Sequence, residues 1–578
     1  MPARQAGYLH HIASPTTQLP NPALIAWELY SHAVSRLRPR LRRARFAVAC
    51  GVLAAIVAQL VYHGGPPGVD LPSHLFQTWL YAHAGFNLWN NYWYAGRYEF
   101  VTYSVLYYPL ASVVGQQSAA TASAAVLAGA FAGVSRREWG GAATGPSLAF
   151  AATAPFILMV GGLFPFLAGS AAGGAALMCL QRRWRTGFGI SLLATLGFSP
   201  LAFALLMAVL AAALLGQPRP GAALRRNRAA FAAVVAVFVI AVVVERAFPS
   251  GAWYPYDLTD AAIVFGFSLT GLYITGSSPR ARSLRMLFAC YLALNLVAFL
   301  LKGPIGSNSS RLFVIAGAPL LWLAANVSRE RSRLVVLPVL AAALALQVGP
   351  FVRDAYSSWG DPASDPAYWR PAARFLAAHN GAEHRVEVVA TWGHWEAYYL
   401  AKRGIPLARG WFRQDDFPQN TVLYSDHLTG PAYRHWLRSL GVRYVLLSDA
   451  KLDYSAVREA ALLRSGTSGL RVVDHDGHWT IYELPHPTPI VSPPPGDRGL
   501  IVHLGPGRVV LWTSAPGRYL VRIRSSPYWS ASPSTTCVGS SPRGMTTVTT
   551  STGGYVKLTL DPGLAEVAET VGGAASSC

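Results

Sequence analysis

Apolar runs of roughly 17–25 residues, each long enough to cross a bilayer, recur through the first 350 positions and then stop. The first spans Phe46 to Tyr62, and a polar, aromatic-rich loop follows it. A return is expected somewhere within Ser104–Val134, and Ser147–Leu163 with Phe164–Leu180 reads as a hairpin. Phe188–Leu215, interrupted at Gly197-Phe198-Ser199-Pro200, reads as two short helices. Ala229–Val244, Ala261–Thr275, Met286–Leu301, Leu312–Val327 and Leu334–Val348 bring the expectation to about eleven membrane helices. Gly169 and Gly173, at GxxxG spacing, predict one close helix contact.

Beyond Pro350 the spanning runs end and most of the acids appear. Helical period is expected over Tyr368–His379, Gly393–Ala401 and Tyr454–Leu463, and strands over Arg385–Ala390 and Gly441–Ser448. "LRVVDHDGHWTIYEL" reads as a hairpin turning at Asp476-Gly477. The alternation in Arg518–Ile523, Thr546–Thr550 and Tyr555–Leu560 predicts a small β-sandwich. The expected organisation is a basic tail (1–45), a transmembrane domain (46–350), an α/β domain (351–484), a Pro-rich linker (485–497) and the sandwich (498–578).

Only 13% of residues are charged, about half the proportion usual in soluble proteins. The net charge of +21 would suit a nucleic-acid partner. Its distribution argues otherwise: Arg36 to Arg45 precedes the first apolar run, and Arg182–Arg185, Arg219–Arg228, Arg280–Arg285 and Arg329–Arg333 fall between later ones. Walked alternately, the spans put every one of these clusters on one side, the cytoplasmic side under the positive-inside rule. The N-terminus is then cytoplasmic, the C-terminal domains are extracytoplasmic, and no nucleic-acid interface is expected. Cys50, Cys179 and Cys290 fall in or beside membrane helices, whereas Cys537 and Cys578 lie in the outer domain and are expected to form a disulfide. No zinc-ligand spacing, Walker A or dinucleotide fingerprint occurs. The sequence leaves the use of a divalent metal open.

Acids are scarce before residue 350: Glu28, Asp70, Glu99, Glu138, Glu245, Asp257, Asp260 and Glu330. Asp70 opens "DLPSHLFQTWLYAHAG", an amphipathic stretch directly after the first apolar run. A carboxylate kept near a bilayer points to a site, and a base beneath an interfacial helix can meet a lipid-borne substrate. Helix capping is the competing role, since Asp followed by Pro72 is sound helix-start grammar. His74, one turn on, is open to proton transfer or to a plain interfacial role. Glu99 stands either as an ion-pair partner of Arg97 or as a substrate ligand. In "LKGPIGSNSSRLF", Lys302 and Arg311 are cations on the outer side, suited to a lipid phosphate or to snorkelling. Asp257 and Asp260 are candidate bases or helix caps, Asp260 being the expected cap. Trp392, His394, Trp395, Glu396, Arg409, Trp411 and Arg413 crowd a short span, a composition that suits either carbohydrate binding or packing at the base of the outer domain.

"DLPSHLFQTWLYAHAG…WNNYWYAGRYEFVTYSVLYYPLAS" resembles the first outer loop of the GT-C superfamily of membrane glycosyltransferases. "RGWFRQDD" with "YRHWLRSLGVRYVLLSD", and "GRYLVRIRSSPYWSAS", resemble the outer domains of actinobacterial multi-pass proteins related to the YfhO-like group. Some of these carry a 6-pyruvoyl-tetrahydropterin-synthase-related label, which no His cluster here supports. The resemblance implies a GT-C-like fold in the plasma membrane. It also implies a polyprenyl-phosphate-linked sugar donor, an envelope glycan or lipid acceptor, and a general base at the position of Asp70. A transporter or flippase of lipid-linked intermediates, or an assembly factor, is the alternative from another class.

Overall fold

The computed structural model describes residues 22–573, with side chains described from residue 41. Helix α1 (Pro22–Gly64) is continuous, so the first membrane helix does not begin at Phe46 but extends from a helical, Arg-rich segment. A short amphipathic helix, α2 (Leu71–Ala84), follows, then a two-stranded ribbon of β1 (Trp89–Asn90) and β2 (Arg97–Tyr98). The expected return is split between α3 (Tyr107–Val114) and α4 (Gln116–Trp139). Then come α5 (Thr144–Val160), α6 (Phe164–Arg182), α7 (Arg185–Phe198), α8 (Pro200–Leu215), α9 (Pro220–Arg226) and α10 (Arg228–Ala247). Helices α11 (Leu258–Thr275), α12 (Arg282–Leu300), α13 (Arg311–Ser328) and α14 (Arg333–Ser358) complete the domain.

All the expected membrane helices form, but their count as full spans is lower. Among the described residues eight stretches are long and apolar enough to cross a membrane, or nine if α8 and α9, bent by 113°, make one span. One of the eight, Gln116–Val160, contains both α4 and α5. Helices α7 and α8, at 14 and 16 residues, are too short to qualify singly. Ser199 causes the break between them: it is extended (φ −160, ψ 112) and its hydroxyl caps α8 by accepting from Ala202 N. The chain is a polytopic membrane protein. Helix α1 packs on α4 and α5, α4 on α6, and α6 on α7 and α8, while α13 lies against α5, α11 and α14. At Gly169 a Cβ would meet Ser199 Cβ at 2.8 Å and Ala202 Cβ at 2.9 Å. The GxxxG face therefore seats α6 against α8, as its small residues predict.

Helix α14 runs through Pro350 to Ser358, so the composition boundary at 350 is not a structural one. Beyond it, α15 (Arg370–His379), α16 (Glu396–Tyr399), α17 (Arg413–Gln419), α18 (Gly430–Leu440) and α19 (Val457–Arg464) surround one sheet. Its strands are β3 (Arg385–Val388), β4 (Val442–Ser448), β5 (Arg471–Asp476) and β6 (Trp479–Glu483), in the order β3-β4-β6-β5 with β3 and β4 parallel. The helix expected over Gly393–Ala401 is shorter, because His394 takes a left-handed φ of 52° just ahead of α16.

The Pro-rich segment is more than a linker: β7 (Val491–Ser492) pairs with the sandwich, and Ile490 is fully buried. The sandwich comprises β8 (Gly499–Gly505), β9 (Arg508–Thr513), β10 (Gly517–Arg524), β11 (Trp529–Ser532), β12 (Cys537–Ser540), β13 (Met545–Thr550) and β14 (Gly554–Leu560), followed by α20 (Leu564–Gly572). Its two sheets have the orders β12-β13-β10-β7 and β11-β14-β9-β8. Cys537 is disulfide-bonded; its expected partner, Cys578, lies outside the described residues.

Residues 89–98 lock the C-terminal domains to the membrane domain. Asn91 Nδ2 donates to Gly505 O at 2.7 Å, Trp93 Nε1 to Ala397 O at 3.1 Å and Tyr94 OH to Phe412 O at 2.9 Å. Tyr94 and Ala95 adopt left-handed φ values of 57° and 60°, and a Cβ at Gly96 would collide with the Trp89 ring at 2.6 Å. The crowding of aromatics in the loop is thus explained by a tightly folded plug between domains.

Candidate active site

After α1 the chain runs extended along the turn joining α5 to α6. Val69 N donates to Val160 O at 3.0 Å and Asp70 N to Gly161 O at 3.1 Å. Gly162 makes this approach possible: its φ is +68°, and a Cβ there would stand 2.8 Å from Asp70 N. The backbone of Asp70 is therefore held between two ends of membrane helices before α2 begins.

Asp70 occupies the N-cap position of α2, yet its side chain makes no capping hydrogen bond. Among the described residues its carboxylate also forms no ion pair, although the residue is only 8% exposed. Burial pushes this carboxyl up to about 7, against the pull of Arg311 first and then of Arg413 and His394; Asp354 adds to the push. Four elements distant in sequence thus converge on one acid. Arg311 comes from the start of α13, Arg413 from α17, His394 from the loop before α16 and Asp354 from the last turns of α14.

Arg311 is aimed by Asn308, whose Oδ1 accepts from its Nη2 at 3.0 Å and from its Nε at 3.3 Å, and it stands 5.2 Å over the Phe166 ring. No acid pairs with it among the described residues. Lys302 is exposed and lies 5.6 Å over the Trp253 ring. Arg413, by contrast, is with Arg311 among the charges that act on Asp70.

His74 is fully buried, with Nδ1 3.1 Å from Tyr108 OH and its ring among those of Tyr103, Tyr107, Phe164 and Trp411. Burial holds the imidazole down at about 3, and Arg311 repels a second positive charge. It is a neutral, packed group. Glu99 is fully buried in an ion pair with Arg97 at 2.9 Å and accepts from Asn90 Nδ2 at 3.0 Å. Asp257, rather than Asp260, caps α11, accepting from Thr259 N at 2.8 Å. Sequence order misled here because Asp260 falls in the first turn of the helix and turns toward Ser307.

The outer cluster divides. Arg409 is consumed by Glu387 at 2.7 Å and Glu459 at 2.9 Å, all three buried. Trp395 is buried and stacks on Tyr399. Trp392, half-buried, donates to Ser358 Oγ at 3.2 Å, and Lys451 lies 3.8 Å over its ring. His394 lies 3.3 Å from Glu396 and 3.7 Å from Asp453, at ion-pair rather than hydrogen-bond geometry. Burial would lower its imidazole, but the two carboxylates outweigh that and raise it to about 9. Arg413 grips both oxygens of Asp453, at 3.2 and 2.6 Å. The polar cavity beside these residues holds about 10 Å³, room for a single water. His394 and Arg413 thus face Asp70 as cations, while Trp395 and Arg409 serve packing.

Tyr103, Tyr254 and Asp354 were not singled out from sequence. Burial raises both phenols, and the charges of Asp70 and Arg311 act on each of them. Only an acid or phenol pattern spread over four distant segments could have signalled them. Among the described residues no group of three or more His, Cys, Asp or Glu side chains is arranged to hold a metal ion.

No protein-family profile and no curated protein matches the chain. Solved structures are similar to it at low identity. Arabinofuranosyltransferase AftD from Mycobacteria shares 16% identity at a TM-score of 0.46, over 76% of this chain and 40% of that one. A mutant form of AftD shares 14% identity at 0.44, over 89% and 60%. The archaeal oligosaccharyltransferase AglB from Archaeoglobus fulgidus, in complex with an inhibitory peptide and a dolichol-phosphate, shares 13% at 0.30, over 70% and 69%. The chain spans 40% of the length of the first of these. At these identities and scores the likeness assigns no residue a role.

Proposed function

We propose that this chain is a membrane glycosyltransferase of the GT-C type, transferring a sugar from a polyprenyl-phosphate donor to an envelope glycan or lipid acceptor on the outer face of the plasma membrane. Asp70 accepts the proton of the acceptor hydroxyl. The acceptor oxygen attacks the anomeric carbon, the bond from that carbon to the phosphate oxygen breaks, and its electron pair leaves with the polyprenyl phosphate. One displacement inverts the configuration. Arg311 and Arg413 stabilise the charge that grows on the departing phosphate, and a preorganised cation pair at a buried site is strongly effective there.

One observation carries this reading: a buried carboxylate with no ion pair and no capping hydrogen bond among the described residues, on which the charge of Arg311 acts. Structural acids in this protein look different, since Glu99, Glu387, Glu459 and Asp453 are each paired with an arginine. The test is sugar transfer from a labelled polyprenyl-phosphate donor by the full chain in liposomes. Asp70→Asn is expected to lower turnover by about two to four orders of magnitude. Undiminished transfer by that variant defeats the assignment of the base. Movement of the labelled lipid across the bilayer with no transfer by the native chain selects the flippase alternative.

A further inference from the structure

Helix α6 starts beside Asp70, where its first residue follows the Gly162 turn, and its 19 residues rise about 28 Å to the opposite end of the membrane domain. A cavity of about 730 Å³ opens there, between α10 on one side and α4, α6, α8 and α12 on the other. Its volume is in the range of small-molecule and lipid-chain sites. Leu177, Phe188, Met207, Leu210, Phe231 and Phe238 are among the apolar residues that line it.

Helix α10 is peripheral: it packs on α7 and forms one wall of the cavity. Only 6% of the most apolar window of α10 is buried, against 56% for α6. In a bilayer no hydrophobic force closes such a gap, since hydrocarbon outside is as apolar as the side chains within. The rim distinguishes it from an ordinary lipid-facing groove. Arg183 and Arg226 line the same cavity, as do Gln181, Gln217 and Asn227. Arg183 sits at the left-handed cap of α6, and Arg226 ends α9, which bends 113° from α8. Among the described residues neither guanidinium has an ion pair or a side-chain hydrogen bond, and Glu138 is the one acid lining the cavity. A hydrocarbon slot under two unpaired, fork-shaped cations is complementary to a phosphate carrying a long chain.

We propose that this is a second lipid site, which binds a phosphate-headed lipid with one chain between α10 and α6 and its phosphate on Arg183 and Arg226. A glycerophospholipid and a prenyl phosphate share this chemistry. The site is independent of the Asp70 reading, because it lies at the other end of α6 and uses none of the same residues.

The test is native mass spectrometry of the full chain, titrated with phosphatidylglycerol, with phosphatidylcholine of the same chains, or with a prenyl phosphate. Phosphatidylglycerol is expected to bind at least about tenfold more tightly than phosphatidylcholine. The double variant R183Q/R226Q should lose about thirtyfold of the anionic affinity and a smaller factor for phosphatidylcholine, whose phosphate is offset by its own choline. Ala230→Trp, which fills the slot from α10, should weaken both lipids while the rim stays intact. Competition between phosphatidylglycerol and the prenyl phosphate identifies the preferred source. Asp70→Asn should bind all three as the native chain does, so a failed transferase reading leaves this result standing. Equal binding of the two phospholipids, or an unchanged R183Q/R226Q, overturns the proposal.

Discussion

Arg97, in the loop that follows the first membrane helix, donates to Asp415 of the C-terminal α/β domain at 2.7 Å, and both side chains are buried. The same guanidinium reaches Glu99 at 2.9 Å and stands 4.0 Å over the Phe412 ring. The ribbon that follows α2 and the segment carrying Arg413 are thereby tied together, two residues from Arg413. Whatever chemistry occurs between Asp70 and Arg413 depends on this clamp for its geometry.

Arg97→Ala should therefore be severe. It leaves Glu99 and Asp415 as buried, unmatched carboxylates, a change that costs about 3–5 kcal/mol. Thermal unfolding in detergent should show the loss, and Arg97→Ala combined with Glu99→Gln and Asp415→Asn should recover much of it. A single variant as stable as the native chain would mean the network is not what joins the domains.

Asp70 couples stability to pH in a direction opposite to that of most acids. Its carboxyl is raised from 3.8 to about 7, so the folded chain favours the protonated form. Stability from this group is full below pH 3.8 and is lost as pH rises through about 7. Asp70→Asn escapes that loss. Chemical denaturation should find it equal to the native chain near pH 4 and more stable above neutrality, by up to about 4 kcal/mol. Transfer by the native chain should rise with pH through about 7, as the base ionises.

His394 has the reverse linkage. Its imidazole is raised to about 9 between Glu396 and Asp453, so the stability it confers is present below its ordinary value and is lost as pH rises through about 9. His394→Asn, which tolerates the left-handed backbone, should be destabilised by about 2–3 kcal/mol at pH 7. The gap should close above pH 10. A pH-independent difference would assign the effect to packing instead of charge.

Gly162→Ala tests positioning without touching a polar group. The added Cβ would meet Asp70 N at 2.8 Å and sit at a φ of +68°, a combination of strain and contact worth about 1–3 kcal/mol. Sugar transfer should fall more than stability does, because the displaced atom is the backbone of the proposed base. Full transfer in a folded Gly162→Ala protein would remove the turn from the account of the site.

The membrane spans, the hairpin at Asp476-Gly477, the sandwich strands and the GxxxG contact at Gly169 were legible because each is written in the local period and length of apolar residues. So was the standing of Asp70 as an unusual acid, since a charge beside a bilayer is costly wherever the chain goes next. Sequence could not decide whether that carboxylate would be spent on capping α2, because the choice depends on a rotamer and on the turn at Gly162 that holds its backbone. Nor could it choose between Lys302 and Arg413 as the companion of Arg311. Lys302 is nearer in sequence, but it lies over Trp253, whereas Arg413, on the helix tied to Arg97 through Asp415, acts on Asp70. Local pattern determined the elements and their apolar faces. The meeting of Asp70 with Arg311, Arg413, His394 and Asp354 was decided only by tertiary packing, because electrostatic contacts between distant segments depend on distances that no periodicity encodes.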